Sequence, residues 1–307
     1  MEQGHHAHWG AEALWQQLEP LLPGLSIEVV ARTDSTNTRL LERAREAAGQ
    51  PDAPITRPND LQAAGEADLQ TSVLGRRSGD IQPCLLVAEY QTQGRGRLGR
   101  DWIGAAGASL CFSVALPLVP ASWSGLSLAV GLALADALDA ADPPRLMLKW
   151  PNDLWLTDSA GRGRKLGGIL IETVPVGGNR MCVIGVGLNV EPLVAGSAVE
   201  SLSHGYACLQ ELEPEATAPA VLARLAKPLV LALLAFERDG FAPLVARYAR
   251  RDLLLGQSVV TNPSGSSGEP VQGVAEGVAE DGALRVRSGA VHHVVSGEVS
   301  VRLTAGQ

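Results

Sequence analysis

The sequence of 307 residues predicts an α+β protein, a large unit of helices and strands followed by a small all-β barrel. Two observations carry that expectation. Up to Arg250, stretches with apolar residues at helical spacing are interspersed with short apolar strands. Near Leu255 the pattern changes to Val-rich stretches separated by Gly, Asn, Pro and Ser, as in a small barrel. Hydrophobic residues at 46% and charged residues at 19% supply enough core for one large domain and one small one. Their expected limits are 1–252 and 253–307.

The elements follow in order. A first helix is expected over Trp9–Leu22, with Leu14, Leu18 and Leu21 at helical spacing and a stop at Pro23-Gly24. Ser26–Arg32 reads as a strand, and Asp34 or Ser35 then caps a helix reaching about Ala48. Residues 50–82, rich in Pro, Gly, Asp and Gln, read as a long surface insertion. Cys84–Tyr90 and Ser109–Leu116 read as strands, and Leu126–Ala140 as a helix ending before Pro143-Pro144. Three strands follow at Leu146–Trp150, Gly168–Val174 and Met181–Val190, the last two joined by a hairpin at Gly177-Gly178-Asn179. Helices at Ala220–Arg238 and Phe241–Arg250 close the large unit. Barrel strands are expected at Ser258–Thr261, Val271–Ala275, Leu284–Arg287 and Val299–Leu303.

Composition excludes several classes. A formal charge of -8 argues against DNA or RNA as the main partner, because such binding needs a broad basic surface. Cys84, Cys111, Cys182 and Cys208 form no CxxC pair and read as buried apolar side chains of a cytoplasmic protein, with no metal site. His5, His6 and His8 read as part of a terminal tail, and no secretory signal precedes them. No stretch reads as long and apolar enough to cross a membrane, since the run Leu229–Phe236 is bounded by Pro228 and Glu237.

Against this acidic background, Gln91–Trp102 gathers Arg95, Arg97 and Arg100 with Gly94, Gly96 and Gly99, and Asp101 as its one carboxylate. The glycines allow close backbone approach, and the arginines offer planar donors for phosphate or carboxylate oxygens. The segment reads as a flexible loop closing over a small anion, hence an enzyme of nucleotides or acyl phosphates. It also matches a dinucleotide fingerprint, but no helix start follows it and no acid lies about twenty residues on. A solvated basic turn would explain the arginines and leave the glycine spacing unexplained.

Asp34-Ser35-Thr36-Asn37 is a good helix cap and also offers donors and acceptors for an amide-like or ureido group. Lys149-Trp150-Pro151-Asn152-Asp153 ends one strand and starts another, with Pro151 fixing the relation of Lys149 to Asn152. Lys165 precedes Gly167-Gly168 and completes a cationic cage. Gly185-Val186-Gly187-Leu188-Asn189 is either a packed strand end or a surface for a purine read by Asn189.

Taken in order, these segments resemble the biotin protein ligase family. The matching stretches are Thr33-Asp-Ser-Thr-Asn37, Glu89 to Trp102, Lys149 to Asp153, Lys165 to Leu170 and Gly185 to Asn189. The resemblance spans roughly Ile27 to Leu303. It implies a mixed sheet akin to class II aminoacyl-tRNA synthetases, followed by an SH3-like barrel. It implies ATP and biotin as substrates, with Mg2+, and a biotin carboxyl carrier protein as acceptor. By resemblance, Lys165, Arg95 and Arg97 are catalytic, and Ser35, Thr36, Asn37, Gln91, Arg95, Gly96, Arg97 and Gly168 hold biotin. The nucleotide falls to Arg97, Arg100, Trp102, Lys149, Asn152, Lys165 and Asn189. About thirty residues before Asp34 are too few for the winged helix-turn-helix of repressor members, so a ligase without that domain is expected; a homodimer is left open. A lipoate–protein ligase or octanoyltransferase is the alternative enzyme, and a small RNA-binding module the non-enzymatic one.

Overall fold

A computed structural model of the chain describes residues 8–48, 82–176, 178–193, 205–263, 270–295 and 299–303. The expectations for His5, His6 and most of the 50–82 insertion lie outside the described residues. The first helix, α1 (Ala11–Leu18), buries Leu14 and Leu18. It stops earlier than its spacing predicts: Glu19 still donates to the Trp15 carbonyl at 2.8 Å, and Pro20 has no N–H to extend the ladder. Strand β1 (Ser26–Thr33) leads into α2 (Thr36–Ala48). The Ser35 hydroxyl accepts from the Thr38 N–H at 3.4 Å, so the expected cap is formed.

β2 (Cys84–Gln91), β3 (Ser109–Pro117), β4 (Leu146–Lys149), β5 (Asp153–Thr157), β6 (Gly163–Val176) and β7 (Asn179–Asn189) join β1 in one sheet, ordered β1-β2-β3-β7-β6-β5-β4. The sheet is mixed: β1 and β2 are parallel, and every other pair is antiparallel. Strands β2 and β3 read as almost unbroken apolar runs because both faces are covered. On one face α2 packs Leu40, Leu41 and Ala44 against Leu86, Val174 and Val183. The other face carries α1, α3 (Leu126–Leu138) and α4 (Ala218–Asp239).

Beyond α1, further elements depart from the sequence reading. β6 begins at Gly163 rather than Gly168, because β5 offers it a partner, with Trp155 opposite Lys165 and Thr157 opposite Gly163. The Phe241–Arg250 helix is split into a 3-10 turn, Ala242–Leu244, and a short α5 (Val245–Ala249). The membrane reading is also corrected. α4 continues through Pro228 for 22 residues and, by length and composition alone, is long and apolar enough to cross a membrane. Its apolar residues are instead those of a core helix, with Val221, Leu225, Leu229, Leu233 and Phe236 buried in the main core.

The second sheet comprises β8 (Ser258–Pro263), β9 (Gln272–Val278), β10 (Leu284–Ser288), β11 (Ala290–Val294) and β12 (Val299–Leu303), antiparallel in the order β11-β10-β9-β8-β12. Strand β11 escaped the sequence reading because only Val294 is buried, so main-chain pairing with β10 defines it, not patterning. This sheet is pressed against the larger unit. The buried Trp150 donates its indole N–H to the Gly282 carbonyl at 3.0 Å, and Ser124 donates to the Asp281 carbonyl at 2.5 Å. A Cβ on Gly282 would lie 2.7 Å from the Gly125 Cα, so only glycine fits.

Just before the second sheet sits Asp252, buried, with one carboxyl oxygen lacking a partner. Burial pushes its pKa up to about 6, against the N–H donors of Leu254 and Leu255. The native fold thus favours the protonated acid. The stability this contributes is full below the ordinary carboxylate range and is lost as pH rises through about 6. Asp252→Asn is therefore expected to stabilise the fold by about 1–2 kcal/mol near pH 8, a gain that fades towards pH 4. Urea denaturation of both proteins across that range checks it.

Candidate active site

A cavity of about 490 Å³ opens where the glycine-arginine segment folds over β6 and β7. Ser35, Thr36, Asn37, Gln91, Arg95, Gly96, Arg97, Arg100, Trp102, Lys149, Asn152, Lys165, Gly168 and Asn189 all line it. Residues far apart in the chain meet here because the Ser35 turn, the end of β2, the β4–β5 turn and the start of β6 adjoin one another.

The glycine-arginine segment is an ordered clip. Trp102 N–H bonds the Gly94 carbonyl at 2.8 Å, Gly96 N–H bonds the Arg100 carbonyl at 2.7 Å, and the main chains of Arg95 and Asp101 face each other in an isolated antiparallel β-bridge. Its tip is a 3-10 turn, Arg97–Gly99, in which Leu98 takes φ 59. A left-handed leucine costs about 1–2 kcal/mol, so the clip's cross-bonds hold that conformation against its strain. The indole of Trp102 lies on β7 at Gly187, where a Cβ would stand 2.5 Å from Trp102 Cε2.

One part of the wall is neutral. The Gln91 side-chain oxygen accepts from Thr36 N–H at 2.7 Å and lies 3.2 Å from its hydroxyl. Ser113, fully buried, is 2.6 Å from Thr36 Oγ1 and 2.7 Å from Asn37 Oδ1. A hydroxyl has one proton, so Ser113 can donate to only one of them at a time. Asn37 donates to the Leu170 carbonyl and to Glu172, each at 3.1 Å. Gly185 must be glycine, because a Cβ there would lie 2.2 Å from Asn37 Oδ1.

Another part is cationic. Lys165 Nζ stands 2.8 Å from Asp153 Oδ1. Burial lowers the Arg97 pKa, opposed by the nearby Asp153 and reinforced by Arg100. The guanidinium stays protonated all the same. Lys149, buried, holds its ammonium 4.4 Å from the Trp155 ring centroid. The Cys111 thiol, beside Trp102 and Gln91, is held neutral, because burial pushes it up to about 11.

Several residues picked from the sequence are held by protein groups. Asn152 donates to the Ile169 carbonyl at 2.9 Å, and Asn189 to the Ala207 carbonyl at 3.0 Å. Both Asn37 donors are engaged as well, so these three amides set wall shape through the main chain. Arg95 turns to Glu172 and away from the Lys165 cluster. Sequence reasoning missed Ser113 and Glu172, whose signal was a lone polar residue inside an apolar strand. It also missed Tyr206, which lines the cavity and donates to the Glu191 carbonyl at 2.6 Å, and for which the sequence offers no signal. Among the described residues no group of three His, Cys, Asp or Glu could hold a metal ion.

Residues 78–189 match the Biotin/lipoate A/B protein ligase family, and residues 263–302 match the Biotin protein ligase C terminal domain. Over 94% of its length the chain is 33% identical to the biotin–[acetyl-CoA-carboxylase] ligase of Mycobacterium tuberculosis, spanning 89% of that protein. Over the same share it is 31% identical to the bifunctional ligase/repressor BirA of Escherichia coli, spanning 77% of that protein. The fold is that of the Aquifex aeolicus biotin protein ligase in complex with biotin and ATP, at TM-score 0.64 and 24% identity, over 92% of this chain and 100% of that one.

Proposed function

The chain belongs to the biotin protein ligase family, and from that premise we propose that it joins biotin to AMP and passes the biotinyl group to a lysine of a biotin carboxyl carrier protein. The observation that carries this reading is the pairing, in one cavity, of a neutral hydrogen-bonding wall with a cationic cluster. The ureido ring fits Ser35, Thr36 and Gln91, backed by Ser113. The carboxylate and phosphates fit Lys165, Arg97, Arg100 and Lys149, with Arg95 and Gly96 in the clip and Gly168 giving close approach at β6. Trp102 covers the adenylate.

In the first step a biotin carboxylate oxygen attacks the α-phosphorus of ATP, and the bond to pyrophosphate breaks. Two anions approach each other, so the barrier falls chiefly through cations placed before the charge develops. In the second step the acceptor amine attacks the acyl carbon, AMP leaves with the bonding pair, and the amine's proton passes to solvent. The closed clip keeps water from the mixed anhydride in between. Magnesium enters this reading as part of the ATP substrate. That ion keeps several waters and uses one or two carboxylates besides phosphates, and Asp153 and Asp101 are the carboxylates lining the cavity. An acetyl-CoA carboxylase carrier domain and a cytoplasmic location complete the proposal; four free, buried cysteines fit a reducing compartment.

The test is transfer of labelled biotin to a carrier domain with ATP, run beside lipoate. ATP-dependent labelling and pyrophosphate release with biotin alone are expected. Turnover with lipoate and none with biotin would replace the proposal by its relative.

A further inference from the structure

We propose that Glu172 is the positioning residue that anchors the arginine clip, and that Arg95 works as its strap. The inference deepens the ligase reading and rests on it. Glu172 receives Arg95 through both guanidinium nitrogens, at 2.8 and 3.3 Å, and Arg95 also donates to Thr38 Oγ1 at 3.3 Å. Those donors face α2 and β6 and leave the phosphate-side cations, Arg97 and Lys165, to Asp153. The two arginines of the Gly94-Arg95-Gly96-Arg97 stretch thus have different tasks, Arg95 tying the clip down and Arg97 facing the cations of the cavity.

Topology explains why Glu172 can do this. β5 pairs with β6 no further than Gly168, so beyond that point β6 is paired through β7, with Glu172 opposite Val183. The same carboxylate accepts from Asn37 at 3.1 Å, and Asn37 in turn meets Ser113, which touches Thr36. One hydrogen-bonded chain therefore runs from the clip through Glu172 to the neutral wall. Filling that wall and closing the clip become coupled through fixed contacts. An isolated half-exposed ion pair contributes little, but a bidentate one sharing a buried amide is stronger.

Glu172→Gln keeps the shape and removes the charge. Biotinyl adenylate should escape into solution about tenfold faster, because charge-assisted bonds to the strap are lost. KM for biotin should rise by a similar factor, while adenylate formation at saturating biotin and ATP falls by a smaller one. Arg95→Glu should leak likewise, and adding Glu172→Arg should restore retention in part, because the pair re-forms in reverse while the bond from Asn37 stays lost. A group acting on phosphate itself could not be rescued this way. Leakage is read by filtering labelled adenylate from protein after a single turnover. A Glu172→Gln variant that holds adenylate as tightly as wild type overturns the inference, and so does a double variant that leaks like Arg95→Glu alone. If Glu172→Gln fails to fold, the reversed pair decides the matter. A wild-type protein that forms no adenylate sinks the ligase reading instead.

Discussion

Lys165→Ala is expected to slow adenylate formation about a thousandfold, the scale set by removing a preorganised charge from a developing oxyanion. The side chain leaves β6 where its own main chain is held: its carbonyl accepts from Ala207 N–H at 3.0 Å, and its ammonium meets Asp153 at 2.8 Å. Such a lysine is placed before substrate arrives, so its charge requires no reorganisation when carboxylate and phosphate meet. Alanine leaves Asp153 facing the same space without its counter-ion, and adds repulsion to the loss. Biotin-dependent exchange of pyrophosphate into ATP measures this step directly. A variant within threefold of wild type would remove Lys165 from the mechanism.

Gly187→Val should be nearly as damaging, through shape and not charge. The Cβ would enter the Trp102 indole at 2.5 Å, and the next ring atom lies at 2.8 Å. β7 is paired on both sides at this residue, with Cys111 and Gly168, so the strand cannot retreat. The indole must swing out, and the proposed cover over the nucleotide goes with it. Overpacking of this kind costs about 1–3 kcal/mol, or roughly fivefold to 150-fold in KM for ATP. Biotin affinity should change less, because its proposed wall lies with Thr36 and Gln91. Steady-state kinetics at varied ATP, with calorimetry of biotin binding, would show whether the two ligands respond differently. An equal loss for both would count against Trp102 as a nucleotide cover.

The lining of the cavity was largely legible because it gathers residue types that are out of place locally. Arginines in an acidic chain, glycines beside them and a lysine beside Gly167-Gly168 all stand apart from the demands of folding. Glu172 and Ser113 were not picked out, although each is polar in an apolar strand, because one such residue is as often a tolerated surface or core position. Only the register of β3, β7 and β6, and the packing of α2 across them, brings Glu172 to Arg95 and Ser113 to Thr36. β11 was missed for a similar reason: strand pairing can form where side chains show no alternation.

Most of the order of helices and strands, the all-β ending and the chemical nature of the cavity wall were determined by the sequence alone, without β5 and β11. Local spacing fixes which face is apolar, and unusual residues betray a ligand's charge. Tertiary structure decided which arginine reaches the cations and which ties down the clip, and which asparagines are committed to main-chain carbonyls. Those outcomes depend on neighbours outside the local sequence, 77 residues away for Arg95 and Glu172 and 133 for Asn37 and Leu170. A hydrogen bond between such partners exists only once the sheet has set its register, and nothing in the local sequence records that distance.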